Sequence, residues 1–217
     1  EQVVGEVLDR AIGEAQGRVM IATFASLISR VQLIIDAAFK HGRKVGTVGR
    51  SMVNNVKMAR EMGYLIDPGN VLMQMSELRK LPPDKGVVVM TGSQGEPTSA
   101  LVRIANREHR EIQIVPGDTV VLSSTPIPGN EIVVSRTIDN LFRQGAKVLY
   151  DKVALVHVHG HASQEELKLM LNLIKPRYFV PIHGEYRMLD AHAHLADRVG
   201  VASDDIFILE DGDVLEL

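Results

Sequence analysis

The sequence predicts an α/β fold on a mostly parallel sheet. Three features point there: apolar runs of about five residues, a Ser-, Thr- or Gly-rich turn after most of them, and then a segment of helical period about ten or more residues long. That order recurs four times within residues 1–150. The chain has 217 residues, 45% apolar and 24% charged, enough for one sizeable domain or two small ones with a proper core. Disordered, collagen-like and disulfide-scaffold compositions are excluded.

Taken in order, the run 19–24 leads through Ala25-Ser26 into a helix ending near Lys40. The run 44–48 leads through Gly49-Arg50-Ser51 into a helix ending near Met62. The run 86–91 leads through Gly92-Ser93-Gln94-Gly95-Glu96-Pro97 into a helix over 98–108, and 119–123 leads through Ser124-Thr125-Pro126-Ile127-Pro128-Gly129 into a helix over 131–144. Each turn lies at the carboxyl end of its strand, the edge of a parallel sheet where helix N-termini aim their free N–H groups at ligands. The turn 92–96 resembles a phosphate cradle but matches neither the P-loop nor the dinucleotide fingerprint. An ordinary βα turn using Gly for positive φ explains it equally well. Arg50 and Ser51 carry the same two readings, and Arg30, one turn into its helix, reads on its own as a solvated arginine.

After a strand at 147–150 the texture changes. A strand at 153–158 runs into His157-Val158-His159-Gly160-His161. Ser163 with Glu166 three residues on forms a capping box, opening a helix to about Ile174 that Lys175 and Pro176 close. A strand at 177–182 delivers His183-Gly184-Glu185-Tyr186-Arg187, a helix follows over 188–199, and 206–209 pairs with 213–217 around Asp211-Gly212.

Charge and histidine divide along the same line. Residues 1–150 hold 18 Lys/Arg against 15 Asp/Glu, and residues 151–217 hold 6 against 12. Six of the eight His (157, 159, 161, 183, 192 and 194) fall in that last part, which makes it the place to seek metal or acid–base chemistry. The absence of Cys excludes disulfides, thiolate nucleophiles and Cys-based metal sites. No apolar run reaches the ~20 residues of a membrane helix, and the first residues lack a signal-peptide pattern, so a soluble cytoplasmic protein is the expectation.

A strand continuing through 157–161 projects alternate side chains to one side, and a βαβ return brings His183 to the end of a neighbouring strand beside His161. There, imidazole serves as a neutral metal ligand or as a proton donor near neutral pH. A single strand-end His is more often structural; two, each next to Gly, favour function. His192 and His194, two apart on a helix, face different sides and read as surface or supporting residues. His41 reads as a helix C-terminal residue complementing the dipole, and His109 as the close of an exposed helix. A hydrolytic metal centre needs three or more protein ligands per ion, so the chain holds part of a site.

At these residues the chain resembles bacterial ribonuclease J, the β-CASP branch of the metallo-β-lactamase-fold nucleases. The resemblance is carried by Thr23-Phe24-Ala25-Ser26 with Arg30-Val31-Gln32, Gly49-Arg50-Ser51-Met52 and Thr91-Gly92-Ser93-Gln94-Gly95-Glu96-Pro97. It continues in the run 157–161 and in Pro181-Ile182-His183-Gly184-Glu185-Tyr186-Arg187. It implies a three-layer β-CASP domain over 1–148, followed over 149–217 by the C-terminal portion of an αββα metallo-β-lactamase domain. It implies that His183 is a ligand of a two-zinc centre, with Mn or Mg as alternative metals. It implies that His161 assists at the scissile phosphate, and that His157, Val158, His159, Gly160 and His161 contact RNA. Ser26, Arg30, Arg50, Ser51, Ser93, Gln94, Gly95 and Glu96 are then candidate walls of an RNA channel. Two departures stand out: the family's His-x-His-x-Asp-His motif and its C-terminal domain are absent, and His159 stands where the family has Ser.

The resemblance implies a metal-dependent nuclease that cuts RNA 5′→3′ from a monophosphorylated end and also internally, as a homodimer or homotetramer when full length, with no membrane partner. This chain alone is expected to be inactive. A non-catalytic RNA-binding α/β module is the alternative, and 4% aromatic content with a charge of only +3 over residues 1–150 argues against a strong independent binder. A mononuclear metal site built on His157, His159, His161 and His183 is a third reading.

Overall fold

The computed structural model describes residues 1–157 and 161–216. The chain divides into two units, Glu1–Val158 and His159–Leu217.

The first unit opens with helix α1 (Gln2–Glu14), which the sequence reading did not anticipate. It buries Val4, Leu8, Ala11 and Ile12, a spacing that sets all four on one helical face. Then come β1 (Val19–Ala22), α2 (Ile28–Lys40), β2 (Lys44–Val48), α3 (Arg50–Glu61), the short α4 (Met75–Leu78) and β3 (Gly86–Met90). The unit continues with α5 (Ala100–Ala105), β4 (Thr119–Leu122), α6 (Glu131–Arg143) and β5 (Lys147–Leu149). Helix α5 is shorter than the segment 98–108 because Arg107 turns left-handed at φ 64°. The Glu108 N–H then donates to Arg103 O at 2.7 Å, the wrap-around bond that ends a helix.

All strand pairs are parallel, in the order β2-β3-β1-β4-β5. Strand β1 is central, with Val19 opposite both Val87 and Thr119. Its side chains alternate between two cores, as period two requires. Val19 and Ile21 pack with α1, α2 and α3, while Met20 and Ala22 pack with α5 and α6. The unit is therefore three layers, helices over both sheet faces, as the sequence predicts. At the amino edge, the buried Asp118 carboxylate accepts from Arg18 Nε at 3.1 Å, Arg18 Nη2 at 2.6 Å and the Val115 N–H at 2.9 Å. A buried carboxylate is tolerable only when paired in this way.

The second unit holds α7 (Gln164–Ile174) and α8 (Tyr186–Arg198). The capping box forms: Ser163 Oγ accepts from the Glu166 N–H at 3.4 Å, and Glu166 Oε2 accepts from the Ser163 N–H at 2.7 Å. Lys175, left-handed at φ 48°, closes α7. The core is small, with Leu171, Ala196 and Val201 buried and Phe179, Val199 and Ile206 packed against them. Leu169, Met170, Leu173 and Ile174 on α7 are exposed.

Among the described residues, four expected strands do not form. Residues 151–154 turn back, Val153 and Ala154 both donating to Tyr150 O, so the described part of 153–158 pairs with no strand. Residues 177–182 make a single bridge, Phe179 to Ile206; Pro181 has no N–H to extend a ladder. The turn at Asp211-Gly212 exists, with Gly212 at φ 102°, but 206–209 and the described part of 213–217 do not pair, since Ile206 bridges to Phe179 instead.

Candidate functional site

Helix α2, which follows β1, and helix α5, which follows β3, lie on opposite sheet faces. The chain therefore parts between these neighbouring strands, and a doubly wound sheet opens its ligand crevice at the carboxyl ends of such a pair. A cleft of ≈ 580 Å³ is found there. Thr23, Arg50, Ser51, Ser93, Glu96 and Ser99 are among its lining residues. Helix α3 starts at this cleft with no side-chain cap, and the first-turn N–H groups of a helix lack intrahelical acceptors. The turn glycines are needed for geometry. Gly92 sits at φ 113°, and a Cβ there would lie 2.4 Å from Ser99 Oγ. Thr23, 1% exposed, leaves Oγ1 without a hydrogen-bond partner among the described residues. Sequence reasoning had not singled out that hydroxyl.

The other candidate channel residues are placed differently. Ser26 is exposed beside the lining residue Ala25. Gln94 is buried, its carboxamide donating to Thr125 O and accepting from the Ile127 N–H. Gly95, at φ 77°, packs against Val133. A larger hollow of ≈ 760 Å³ between α3 and residues 72–75 is mainly apolar and carries none of the candidate residues.

Arg30 is not solvated. Its side chain is fully buried, and its guanidinium joins four segments. Nε and Nη2 donate to the Glu1 carboxylate at 3.2 and 2.7 Å. Nη1 lies 3.0 Å from Ser123 O, 3.1 Å from Ser123 Oγ and 3.0 Å from His157 Nδ1. Burial raises the Glu1 carboxyl, but the Arg30 hydrogen bonds and charge outweigh it and hold that group below its ordinary value. Ser123 Oγ also donates to Val156 O at 2.6 Å, so side chains bond the backbone just before His157 where a strand ladder was expected.

In the second unit the His161 and His183 rings stack with centroids 5.5 Å apart, although the strands expected to deliver them are missing. His183 is held at φ 67°, a strained conformation for a non-glycine residue. Both rings line a hollow of ≈ 600 Å³, and His192 lines it too. Burial pushes the His192 imidazole below its ordinary value, and the ring packs edge-on against Phe179 at 4.9 Å. Its inward placement was legible as helical period, since His192 falls on one α8 face with Leu189, Ala193 and Ala196. His194 does face outward, 3.7 Å from Asp190. His41 sits at the C-cap of α2, bonded to Asp9.

Val158, His159 and Gly160 lie outside the described residues. Among the described residues no group of three or more His, Asp or Glu could hold a metal ion. They do not fit a complete zinc centre; His183 offers a single imidazole. No described helix is long and apolar enough to cross a membrane.

The three-layer parallel sheet with its switch-point cleft defines a doubly wound α/β protein. A family model described as "Ribonuclease J, beta-CASP domain" matches residues 16–141, and one described as "Zn-dependent metallo-hydrolase RNA specificity domain" matches residues 146–209. The chain belongs to the ribonuclease J β-CASP family. It is 50% identical over 210 residues to the ribonuclease J of Synechocystis sp., covering 97% of this chain and 33% of that protein. It is 46% identical over 214 residues to ribonuclease J2 of Bacillus subtilis, covering 99% and 38%. The ribonuclease J of Mycobacterium tuberculosis is 46% identical over the full 217 residues, which make up 39% of that protein. The chain thus spans between a third and two fifths of the length of these relatives.

Proposed function

We propose that the chain is the β-CASP domain, with its boundary near residue 148, and the returning metallo-β-lactamase segment of a nuclease that hydrolyses RNA phosphodiester bonds. The observation that carries this is the pair of imidazoles, His161 and His183, stacked at 5.5 Å in a chain of this family. His161 would donate a proton or hydrogen bond to an oxygen of the scissile phosphate, and His183 would be one ligand of a zinc centre. Zinc supplies Lewis-acid and water-activating chemistry where it is bound. The remaining ligands would come from residues outside this chain, two zinc ions being the family's complement and Mn or Mg the alternatives. The exposed apolar residues of α7 and the small core of the second unit support that reading, because such a surface calls for a covering partner. His157, Val158, His159, Gly160 and His161 would contact RNA. The cleft residues Arg50, Ser51, Ser93 and Glu96, with Ser26 at its margin, would line the path of the strand. The substrate end would be 5′-monophosphorylated RNA, and the full-length protein a cytoplasmic homodimer or homotetramer.

The test uses 5′-monophosphorylated RNA with Zn²⁺ or Mn²⁺. The 217-residue chain is expected to give no turnover, and turnover abolished by His183→Ala would overturn its proposed inactivity. In the full-length protein, His161→Ala is expected to lower turnover by about 10²–10⁴-fold, the usual worth of general acid catalysis. Unchanged turnover would remove His161 from the mechanism, and salt-sensitive RNA binding without any hydrolysis would favour a non-catalytic module.

A further inference from the structure

We infer that Arg30 is a positioning residue that fixes the tautomer of His157, so that Nε2 carries the ring proton, the state in which this ring would donate to an RNA phosphate. The inference rests on the proposed RNA contact of His157 and deepens it. Arginine has five N–H donors, no acceptor, and does not deprotonate. At 3.0 Å from Arg30 Nη1, the Nδ1 atom of His157 can therefore only accept, which requires it to be unprotonated. In a neutral imidazole the proton then sits on Nε2, since the bond made by one ring nitrogen decides the state of the other.

The guanidinium is held so that it can impose this choice. Glu1 takes Nε and Nη2, which fixes the plane of the fork and leaves Nη1 directed at Ser123 and His157. Ser123 stands at the end of β4, its N–H bonded to Ala22 O at the end of β1, so the node is built on the central strands of the sheet. Ser123 Oγ accepts from Arg30 and donates to Val156 O, tying down the peptide immediately before His157. One buried arginine thus both holds the peptide before His157 through Ser123 and sets which ring nitrogen of His157 carries the proton. An N–H fixed in advance loses no tautomeric freedom when a phosphate oxygen arrives, which is how a prepared donor binds an anion more tightly.

Long-range proton–nitrogen correlation spectra of the chain labelled at histidine nitrogen, taken above neutral pH, test the tautomer directly. The His157 signals are assigned by their loss in His157→Gln. The native chain is expected to show His157 with a bare Nδ1 and a protonated Nε2, and Arg30→Met is expected to lose that single pattern and show both tautomers. A protonated Nδ1 in the native chain would overturn the inference, as would a folded Arg30→Met with the pattern intact. Should Arg30→Met fail to fold, the native spectrum decides alone. In the full-length protein, Arg30→Met and His157→Ala are each expected to raise KM for RNA by about tenfold, the worth of one hydrogen bond to a charged group. The double variant should be no worse than His157→Ala, and additive losses would show that Arg30 acts elsewhere. The spectra involve no RNA, so their failure leaves the nuclease reading standing. An unchanged KM in His157→Ala would instead remove the RNA contact and leave the tautomer.

Discussion

His109 shows how one side chain couples local geometry to pH. It follows α5, and its Nδ1 accepts from the N–H groups of Ile112 at 3.2 Å and Glu111 at 3.3 Å, turning the chain toward the buried Ile112 and Ile114. Burial first, and then the charge of Arg103, lower its pKa below the ordinary 6.5, with Glu111 opposing. Because the folded-state value is the lower one, the unfolded chain takes up the proton first as pH falls. The stabilisation is complete above about pH 6.5 and is lost as pH drops through the folded-state value. His109→Asn keeps an acceptor near the Nδ1 position and does not titrate. Urea midpoints measured at about pH 7.5 and about pH 5.5 should therefore fall further for the native chain than for this variant. Equal falls would show that His109 contributes nothing to acid sensitivity. Arg30 teaches the complementary lesson, because its position one turn into an amphipathic helix reads as solvent-facing. Nothing local in the sequence announces that Glu1, Ser123 and His157, 29, 93 and 127 residues away, converge on it.

The helices that the sequence predicts form while several of its strands do not, although α1 went unread, and the reason is where their hydrogen bonds lie. The capping box at Ser163 and Glu166 is a contact three residues long, so its sequence signature suffices to place the start of α7. Ser163→Ala is expected to cost about 1 kcal/mol locally. In amide exchange, the first turn of α7 should then exchange about fivefold faster while β1 and β3 are unchanged; protection equal to native would show the cap to be dispensable. The segments 153–158 and 177–182 carry strand-like apolar residues, yet a strand exists only where a neighbour accepts its ladder. In the first, Ser123 and Arg30 bond the backbone carbonyl instead; in the second, one bridge to Ile206 is all that forms. The four βα units of the first unit succeeded because each apolar run meets a partner in register, from Val19 against Val87 to Val121 against Leu149.

At the scale of the whole molecule, the two units differ in how much apolar surface they bury. The first has two cores that cover both faces of β1, β3 and β4, with Val19, Met20, Ile21, Val87, Val89 and Val120 fully buried. Among the described residues, the core cluster of the second holds only Leu171, Ala196 and Val201, with Ala193 and Leu195 buried outside it. Since local opening is governed by buried apolar contact, amides of β1, β3 and β4 should be the slowest to exchange and those of residues 161–216 should exchange through easier openings. Slow exchange throughout α7 and α8, matching the central strands, would contradict this. The sequence by itself determined the parallel α/β class, the βα order, the helix cap at Ser163 and the family, because periodicity, turn chemistry and motif spacing are properties of neighbouring residues. Only the tertiary structure decided that Arg30 is a buried tie, that Thr23 has an orphan hydroxyl in the switch-point cleft, that His192 joins His161 and His183, and that those two rings meet without the expected strands. Each depends on which distant segments pack together, and burial and hydrogen-bond partnership are set by that packing.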